Sequence, residues 1–483
     1  MATQRIPLFG SIESRDYKSF LDGVTALNMI QYDQGGTDVQ YDILTDPIEG
    51  RKTGYFYPRE ALATSGVPAS SGAGTAVHVW TGNSGAIATA FGATNSTIYN
   101  AGASLGAITG QAAFISEGQT LVPTVANLLV TNTAGGRGYF FPVGGALTEI
   151  VSANFPPKQT PALVTTGPFV QMNGYTYIMC TNGQLWNSDY NTFVNWTGTS
   201  FISTIKKPDV GVGVARYQNA LVAFCLTHTE FFFDAKNSIG SPLSFEASSL
   251  NLGCANQYAF VNIGETVAWY STTGGGAIYM LQGRSAVKIS NAAVDRVLQF
   301  MNPALVRLNV MVSYSNPFLL VNSPVATFQM AYDMGSGTWS LFRFAGNELT
   351  QSDTIPSSAT LSTVYVGPTV TSYYQSSTAA TTGNYLTAKF DAGTEKKKFL
   401  RSIRVIGAMG STAADTISIS WTDDDYETFS TARTIDLNAG ERPMLSRCGS
   451  FFKRAFRVTA SNDTAGRLSR LAALELVYDL GAY

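Results

Sequence analysis

Residues 217–290 read YQNALVAFCLTHTEFFFDAKNSIGSPLSFEASSLNLGCANQYAFVNIGETVAWYSTTGGGAIYMLQGRSAVKIS, and they contain two copies of one pattern. In each copy a polar turn precedes an apolar strand, and a second turn leads into an aromatic or aliphatic strand. The segments are Gln218–Asn219, Leu221–Phe224 and Phe231–Phe233 in the first copy, and Gly264–Glu265, Val267–Tyr270 and Ile278–Met280 in the second. The copies lie about 45 residues apart, which is the period of a four-stranded propeller blade. The pattern therefore predicts a β-propeller.

The same spacing continues on both sides of this stretch. A turn at Asn173–Gly174 lies about 45 residues before the first copy. Another turn follows Tyr314, and the segment Asp333–Trp339 is typical of a hairpin whose tryptophan returns to the core. The sequence predicts about five or six such units.

The composition favours a β protein with a largely covered surface. Of the 483 residues, 45% are apolar and only 13% are charged, whereas charged residues usually make up about a quarter of a domain. Abundant glycine suits short strands joined by turns. From residue 61 to 136, Glu117 is the only ionised side chain. We expect a subunit that its neighbours cover; the alternative is an ordinary Gly- and Thr-rich β protein.

Three segments differ in their pattern. Residues 1–60 are rich in charged and aromatic side chains and are predicted to form an extended docking arm. Residues 61–395 are predicted to form the propeller body, with a low-charge insert near 92–118 that points along the channel axis. Residues 396–483 are predicted to form a separate β-sandwich-like module. The predicted fold class is all-β: a β-propeller-like body between an N-terminal extended arm and this C-terminal module.

The charge distribution argues against tight nucleic-acid binding. The formal net charge is −2, and no basic patch of the kind that binds phosphates is present. The densest basic run, Lys396–Lys398 with Arg401 and Arg404, is predicted to be a solvated strand edge rather than a ligand site. No run approaches the roughly 18 apolar residues of a membrane helix. The first twenty residues carry charges where a secretory signal needs an apolar core.

Few residues are suited to catalysis or metal binding. The chain has two histidines, His78 on an apolar alternating strand and His228 in a turn, and neither has a carboxylate or thiolate at ligand spacing. No G-x-S-x-G nucleophile motif is present. Residues Gly211–Arg216 lack the third glycine and the helix of a dinucleotide loop, so they are predicted to be a turn. We expect no catalytic, cofactor-binding or metal-binding residue, and no cofactor.

Two further groups have a structural and a functional interpretation. Asp423–Asp425 with Glu427 are predicted to be a polar turn rather than a calcium loop, because consecutive acids point in different directions. Trp186, Tyr190 and Trp196 are predicted to be blade core, although exposed aromatic side chains also form sugar platforms. The cysteines show no CxxC spacing and are predicted to be buried apolar residues: Cys180, Cys225, Cys254 and Cys448.

Short motifs in a fixed order resemble those of one phage protein family. They are Trp186–Asp189, Lys207–Val210, Thr229–Glu230, Ser241–Phe245, Leu252–Ala255, Val267–Trp269, Val287–Ser290, Tyr332–Asp333 with Trp339, Ser420–Asp424, Thr428–Ser430, Arg454–Arg457 and Leu474–Tyr478. In this order they resemble the tail nozzle (hub) proteins of short-tailed phages, also called packaged-DNA stabilisation proteins. The resemblance covers residue 161 to the end. Residues 61–136 match nothing in the family, and Phe231–Phe233 stand where a tryptophan is usual.

The resemblance implies a structural virion protein and not an enzyme. It implies a homo-oligomeric ring of six in the virion tail, assembled in the host cytoplasm and attached below the head-to-tail adaptor. The ring retains packaged double-stranded DNA and conducts it at ejection without sequence-specific binding. Further implied partners are a tail fibre or tailspike and a tail needle or plug. The alternative is a carbohydrate-binding or carbohydrate-cleaving propeller that acts on a host surface polysaccharide.

Overall fold

The chain forms two compact units in the computed structural model. The propeller unit comprises residues 64–327 and 344–375, and the terminal unit comprises residues 1–63, 328–343 and 376–483. The structure describes residues 2–7, 26–27, 29–32, 55–58, 61–64, 73–81, 87–100, 103–121, 123–132, 136–313, 316–323, 329–335, 337–343, 351–356, 361–366, 374–377, 382–387, 389–408, 416–424, 426–437, 443–461 and 470–482.

The propeller unit contains five complete blades, each a four-stranded antiparallel sheet of strands that are consecutive in sequence. Five short strands precede these blades in the chain and belong to other sheets: β1 (Ala2–Pro7), β2 (Ala26–Leu27), β3 (Met29–Tyr32), β4 (Tyr55–Pro58) and β5 (Ala61–Thr64). The blades are β6 (Gly74–Thr81), β7 (Ile87–Ala93), β8 (Thr97–Asn100), β9 (Ala103–Ala107); β10 (Ala112–Leu121), β11 (Thr124–Asn132), β12 (Gly138–Pro142), β13 (Thr148–Glu149); β14 (Thr165–Met172), β15 (Tyr175–Cys180), β16 (Gln184–Asn187), β17 (Phe201–Ser203); β18 (Gly211–Tyr217), β19 (Ala220–Cys225), β20 (Thr229–Asp234), β21 (Leu243–Leu250); and β22 (Phe260–Ile263), β23 (Thr266–Ser271), β24 (Ala277–Gln282), β25 (Ser285–Lys288).

Two further sets of strands belong to the same unit. They are the hairpin β26 (Arg307–Ser313) and β27 (Asn316–Asn322), and the antiparallel strands β30 (Gln351–Pro356), β31 (Leu361–Val366) and β32 (Tyr374–Ser377).

The α-helix of the described residues, α1 (Ala292–Phe300), is capped by Asn291, whose side chain accepts hydrogen bonds from the backbone N–H groups of Ala293 and Val294. Such a cap satisfies donors that the first helical turn leaves unpaired. Single 3₁₀ turns lie at Pro156–Lys158 and Pro303–Leu305.

Neighbouring blades bury each other's apolar faces. All six residues of β19 are buried, as expected for a strand that is covered on both sides and has a continuous apolar sequence. Val214 and Leu221 of this blade share one cluster with Met172 and Leu185 of the preceding blade. Packing between blades thus explains why central strands such as β19 are continuously apolar. The successive four-stranded sheets confirm the all-β prediction.

The predicted insert at residues 92–118 is wrong. These residues belong to strands β7–β10, which complete one regular blade and begin the next. Small side chains are needed here, since a Cβ atom on Gly92 would lie 2.5 Å from the Cβ of Ala112. The low-complexity composition therefore reflects close packing of two sheets. With this blade included, seven sets of strands replace the predicted five or six units.

The terminal unit packs two sheets on one core. Its remaining strands are β28 (Gln329–Asp333), β29 (Trp339–Phe342), β33 (Thr382–Leu386), β34 (Lys398–Ala408), β35 (Thr416–Thr422), β36 (Arg433–Asp436), β37 (Met444–Ser446), β38 (Ser450–Phe451), β39 (Ala455–Ser461) and β40 (Arg470–Leu480). One sheet has the order β3-β4-β40-β34-β37, with β1 on β40 and β38 on β34. The other contains β28-β29-β2-β33-β39-β35-β36. Ile403 and Leu476 of the first share a buried cluster with Ile419 and Phe456 of the second, which is a sandwich-like arrangement.

Strands from both ends of the chain meet in the terminal unit. Strand β1 runs antiparallel to β40 over six residue pairs, from Ala2 opposite Tyr478 to Pro7 opposite Ala473. Strand β4 also pairs with β40, at Phe56 and Leu471. The described strands of the predicted arm are therefore part of a sheet with C-terminal strands, and the division into three domains stays a prediction.

Candidate functional site

The innermost strands of the propeller unit surround a cavity of about 790 Å³. Each of the seven sets of strands contributes one segment to its wall. The segments are residues 77–78 of β6, 114–119 of β10, 168–171 of β14, 214–216 of β18, 260–262 of β22, 307–309 of β26 and 351–353 of β30. A cavity at the centre of a propeller is the first candidate for a functional site in this fold.

Most polar side chains of this wall bridge neighbouring inner strands. The Gln171 side chain accepts the backbone N–H of Gln119 at 2.8 Å and donates to the carbonyl of the same residue at 2.6 Å. The Asn262 amide donates to the Arg216 carbonyl at 2.9 Å. Ser352 accepts the N–H of Val310 at 3.0 Å and donates to its carbonyl at 2.6 Å. These groups satisfy the inner strands where the blades do not pair with one another.

His78 joins three inner strands. Its Nδ1 lies 2.7 Å from Oδ2 of Asp353, and its Nε2 lies 3.8 Å from Oε2 of Glu117. The same Asp353 oxygen accepts the backbone N–H of Val79 at 2.8 Å. Burial alone lowers the pKa of His78, but the hydrogen bond to Asp353 and the nearby carboxylates of Asp353 and Glu117 outweigh it and raise the pKa to about 9. We call these three residues the channel cluster; it connects the first, second and last inner strands of the unit.

The charges of the cavity wall are mixed. Arg307 lies over the ring of Tyr258, with its Cζ 4.6 Å from the ring centroid, and Tyr258 stacks on Phe114 at 4.9 Å. The Arg216 guanidinium donates to the Gln171 carbonyl at 3.4 Å. Two arginines on a wall that also carries the acids of the channel cluster make no basic surface for a phosphate backbone.

His228 lies between two carboxylates inside a single blade. Its Nδ1 is 3.1 Å from Oδ2 of Asp209 and its Nε2 is 3.1 Å from Oε1 of Glu230. Both His228 and Glu230 are fully buried. Hydrogen bonds from Thr227 and Val210 hold the pKa of Asp209 below its usual value, against the effect of its partial burial. The thiol of Cys225 lies in the same group, and we call these four residues the blade cluster.

The blade cluster was not predicted from the sequence. Neither histidine has a carboxylate or thiolate at ligand spacing along the chain, so the sequence predicted no site there. Asp209 precedes His228 by nineteen positions, in the segment that leads into β18. The turn between β19 and β20 brings the two together. Only knowledge of how neighbouring strands pair would have revealed the contact.

The residues 211–216 were wrongly predicted to be a turn. They belong to the inner strand β18. A Cβ on Gly211 would lie 2.2 Å from the carbonyl oxygen of Cys180, and one on Gly213 would lie 2.5 Å from the ring of Phe260. The glycines serve close packing of the strand and not a ligand loop.

The aromatic candidates divide between core and surface. Trp186 and Trp196 are buried, as predicted for blade core, whereas Tyr190 is 59% exposed. Tyr190 contacts the ring of Tyr175 edge-on at 5.5 Å. No platform of three exposed rings is formed by these residues.

The acidic turn has separate partners for its described members. Asp423 makes two hydrogen bonds of 2.7 Å with the guanidinium of Arg454. Asp424 accepts from Thr428 and Thr422, and these hydrogen bonds lower its pKa to about 2. Asp425 lies outside the described residues. The described acids therefore serve the turn and its neighbour, in agreement with the predicted polar turn.

The basic run is only partly a strand edge exposed to solvent. Lys398 is fully buried, and its ammonium donates to the carbonyls of Thr394 and Phe452. The prediction of a solvated edge is wrong at this position because the side chain turns inward to satisfy two loop carbonyls. Arg401 and Arg404 instead pair across β34 and β40, as shown by the contacts Arg401–Asp479 (2.6 Å) and Arg404–Glu475 (3.4 Å).

All four cysteines are buried and free, which confirms the prediction made for them. Burial raises the pKa of the thiols of Cys180, Cys225, Cys254 and Cys448. Among the described residues, no helix combines the length and the hydropathy needed to cross a membrane.

The arrangement of the blades defines a β-propeller protein. The family described as "Bacteriophage P22 Gp10, beta-propeller" matches residues 50–350. The chain belongs to this family of phage stabilisation proteins, which confirms the family resemblance found in the sequence. The match includes residues 61–136, so the prediction that they match nothing in the family is wrong. Membership of a phage structural family supports a structural role as a virion component.

Other comparisons add little to this assignment. No curated protein matches the chain. Among solved structures, the chain is similar to the computationally designed Ika8 protein (8% identity, 66% of this chain and 99% of that one, TM-score 0.39). It is also similar to YCF48 from Cyanidioschyzon merolae (10%, 65% and 98%, TM-score 0.43) and to BamB from Moraxella catarrhalis (12%, 73% and 98%, TM-score 0.40).

Proposed function

We propose that this protein is the tail nozzle subunit of a short-tailed phage, and that it forms a ring of six below the head-to-tail adaptor. The ring retains packaged DNA and conducts it at ejection. Membership of the phage stabilisation family over residues 50–350 is the observation that carries this proposal. The role is structural, and we assign no catalytic residue.

The lining of the central cavity supports a DNA channel shared by several copies. Side chains of its wall are occupied in hydrogen bonds between neighbouring inner strands, as Gln171, Asn262 and Ser352 are. The cavity therefore serves to join the blades, and we place the channel between the copies of the ring.

The scarcity of charge supports passage of DNA without tight binding. Each lysine or arginine that contacts a phosphate strengthens binding by releasing counterions. Between residues 61 and 136 the chain has no lysine, arginine or aspartate and one glutamate, Glu117. Such a surface suits contact with neighbouring subunits or sliding DNA.

The remaining partners follow from the same role. We assign the adaptor to one end of the ring, a tail fibre or tailspike to its side, and a tail needle or plug to its tip. Assembly takes place in the host cytoplasm. Residues 1–60 are proposed to contact the adaptor, so that deletion of residues 1–40 abolishes docking while the propeller unit stays folded.

Particles assembled without this protein test the proposal. In the phage that encodes it, we expect such particles to package DNA and then lose it, which nuclease sensitivity of the packaged DNA measures. Supplying the protein in trans should restore retention and infectivity. Particles that lack the protein but keep nuclease-resistant DNA and infect normally would contradict the proposal.

One observation favours a second candidate, carbohydrate binding. An acidic pair, Glu117 and Asp353, faces the central cavity beside the rings of Phe114 and Tyr258. Acids with aromatic side chains are a common setting for sugar recognition. Binding of host surface polysaccharide that Glu117→Gln abolishes would support this candidate, and an absence of binding in a glycan screen would eliminate it.

A further inference from the structure

Three side chains of the blade cluster form a set of possible metal ligands. Asp209, Cys225 and His228 each offer one ligand atom, and these atoms lie within 4.8 Å of one another. His228 is fully buried and the Asp209 side chain is 10% exposed. Cys225 ends β19, His228 lies in the turn before β20, and Asp209 lies before β18. All three belong to the propeller unit.

Glu230 orients the histidine as an outer-shell carboxylate does in metal sites. Its Oε1 lies 3.1 Å from Nε2 of His228. The same carboxylate accepts the backbone N–H groups of Ile205 and Lys206, at 3.1 and 2.7 Å, which fix its position. A metal-ligating histidine almost always donates its other ring N–H to such an acceptor. With Nε2 bonded to Glu230, Nδ1 is the nitrogen that faces Asp209 and Cys225.

The chemistry of the three ligands selects the class of metal. A thiolate and an imidazole bind zinc-like ions, whereas calcium and magnesium require oxygen ligands. We propose that this blade binds one zinc-type divalent ion through Asp209 Oδ2, Cys225 Sγ and His228 Nδ1, with Glu230 as a positioning residue. Three protein ligands leave one tetrahedral position for water. The inference does not rest on the proposed tail function.

A bound ion takes the electron pairs of His228 Nδ1 and Cys225 Sγ, so neither atom carries a proton in the metal-bound site. Affinity is therefore expected to rise with pH.

The metal would connect two parts of the blade. Asp209 belongs to the connection between β17 and β18, whereas Cys225 and His228 flank the turn between β19 and β20. Asp209 Oδ2 is already directed at this turn by Thr227, through its N–H at 2.8 Å and its hydroxyl at 2.6 Å. A chelator is therefore expected to lower the midpoint of thermal unfolding.

Cobalt binding to the untagged full-length protein tests the site without any variant. We expect one equivalent of Co²⁺ to produce a near-ultraviolet thiolate band and the visible bands of tetrahedral cobalt, and Zn²⁺ to remove both. Calorimetry in buffers of different ionisation enthalpy should report release of protons on binding. A spectrum without the thiolate band, or proton release near zero, would overturn the proposal.

A matched pair of cysteine variants locates the ion. Cys225→Ser should abolish the thiolate band and weaken Zn²⁺ binding by about tenfold or more. Cys448→Ser makes the same change at a buried cysteine of the terminal unit, and it should leave both readouts unchanged. Equal behaviour of the two variants would overturn the assignment of Cys225.

Discussion

The two histidines of this chain have the same kind of neighbours and different surroundings. Each lies between two carboxylates, His78 between Asp353 and Glu117, and His228 between Asp209 and Glu230. His78 is 20% exposed in the central cavity, whereas His228 is fully buried within one blade. The channel cluster joins separate inner strands, and the blade cluster joins loops of one sheet. A histidine between two carboxylates therefore joins separate blades in the channel cluster, and it joins segments of a single blade in the blade cluster.

The difference in burial determines how much the free energy of unfolding falls when one partner of each cluster is removed. Removing one partner of a buried ion pair leaves an unpaired charge that the protein interior cannot solvate. In the channel cluster water reaches the Glu117 carboxylate, which is 54% exposed, so loss of its charge costs much less. Substitutions of the same type at the two sites should therefore have very different effects.

The largest effect is expected for Glu230→Gln. This change removes a buried charge that faces His228 and two backbone N–H groups, so the free energy of unfolding of the metal-free protein should fall by about 3 kcal/mol. Urea unfolding in the presence of a chelator measures it. A loss below about 1 kcal/mol would contradict the role of the Glu230 carboxylate in holding His228 and the two backbone N–H groups.

An intermediate effect is expected for the pH dependence that His78 produces. Its pKa is raised from 6.5 to about 9, so its stabilising contribution is complete below pH 6.5 and is lost as the pH rises through 9. The shift corresponds to about 3 kcal/mol at most, at 1.36 kcal/mol per pKa unit. The charged groups that face His78 are Asp353 and Glu117, with Arg216 and Arg307 on the same cavity wall.

The variant Asp353→Asn isolates this contribution. It removes the closest partner of His78, so unfolding free energies measured from pH 6 to pH 10 should decline less steeply than in the wild-type protein. Other groups that titrate in this range cancel in the difference between the two curves. Parallel curves would show that His78 does not titrate in the expected window.

The smallest effect is expected for Glu117→Gln, the counterpart of the Glu230 variant. Because the carboxylate is half-exposed and lies 3.8 Å from His78, the expected loss is about 0.2–1 kcal/mol. Urea unfolding under the same conditions measures it. A loss as large as that of Glu230→Gln would contradict the contrast between the two clusters.

The sequence predicted structure where strands pair with their neighbours in the chain, and it failed where the pairing residues are far apart in the sequence. The blades at residues 217–290 were predictable, because their strands pair with sequence neighbours and their central strands are continuously apolar. The second half of the blade at residues 74–107 was mistaken for part of an insert, since residues such as Gly92 are small for close packing and give no alternating pattern. The pairing of β1 with β40 joins the two ends of the chain, and no local pattern encodes it.

The histidine clusters show the same limit at the level of single side chains. His78 and Asp353 are separated by most of the propeller sequence, so their contact depends on closure of the whole ring of blades. His228 and Glu230 are two positions apart, yet the sequence analysis treated them as an ordinary turn. A charged residue in a buried apolar strand is therefore expected to have a partner of opposite charge or a hydrogen-bond partner nearby.

The mass of the assembly tests the tail function most directly. Native mass spectrometry of the purified full-length protein, alone and with the head-to-tail adaptor, counts the copies in each particle. The account predicts a ring of six copies of this 483-residue chain, formed alone at micromolar concentration or on addition of the adaptor. A stable monomer in the presence of the adaptor would contradict it.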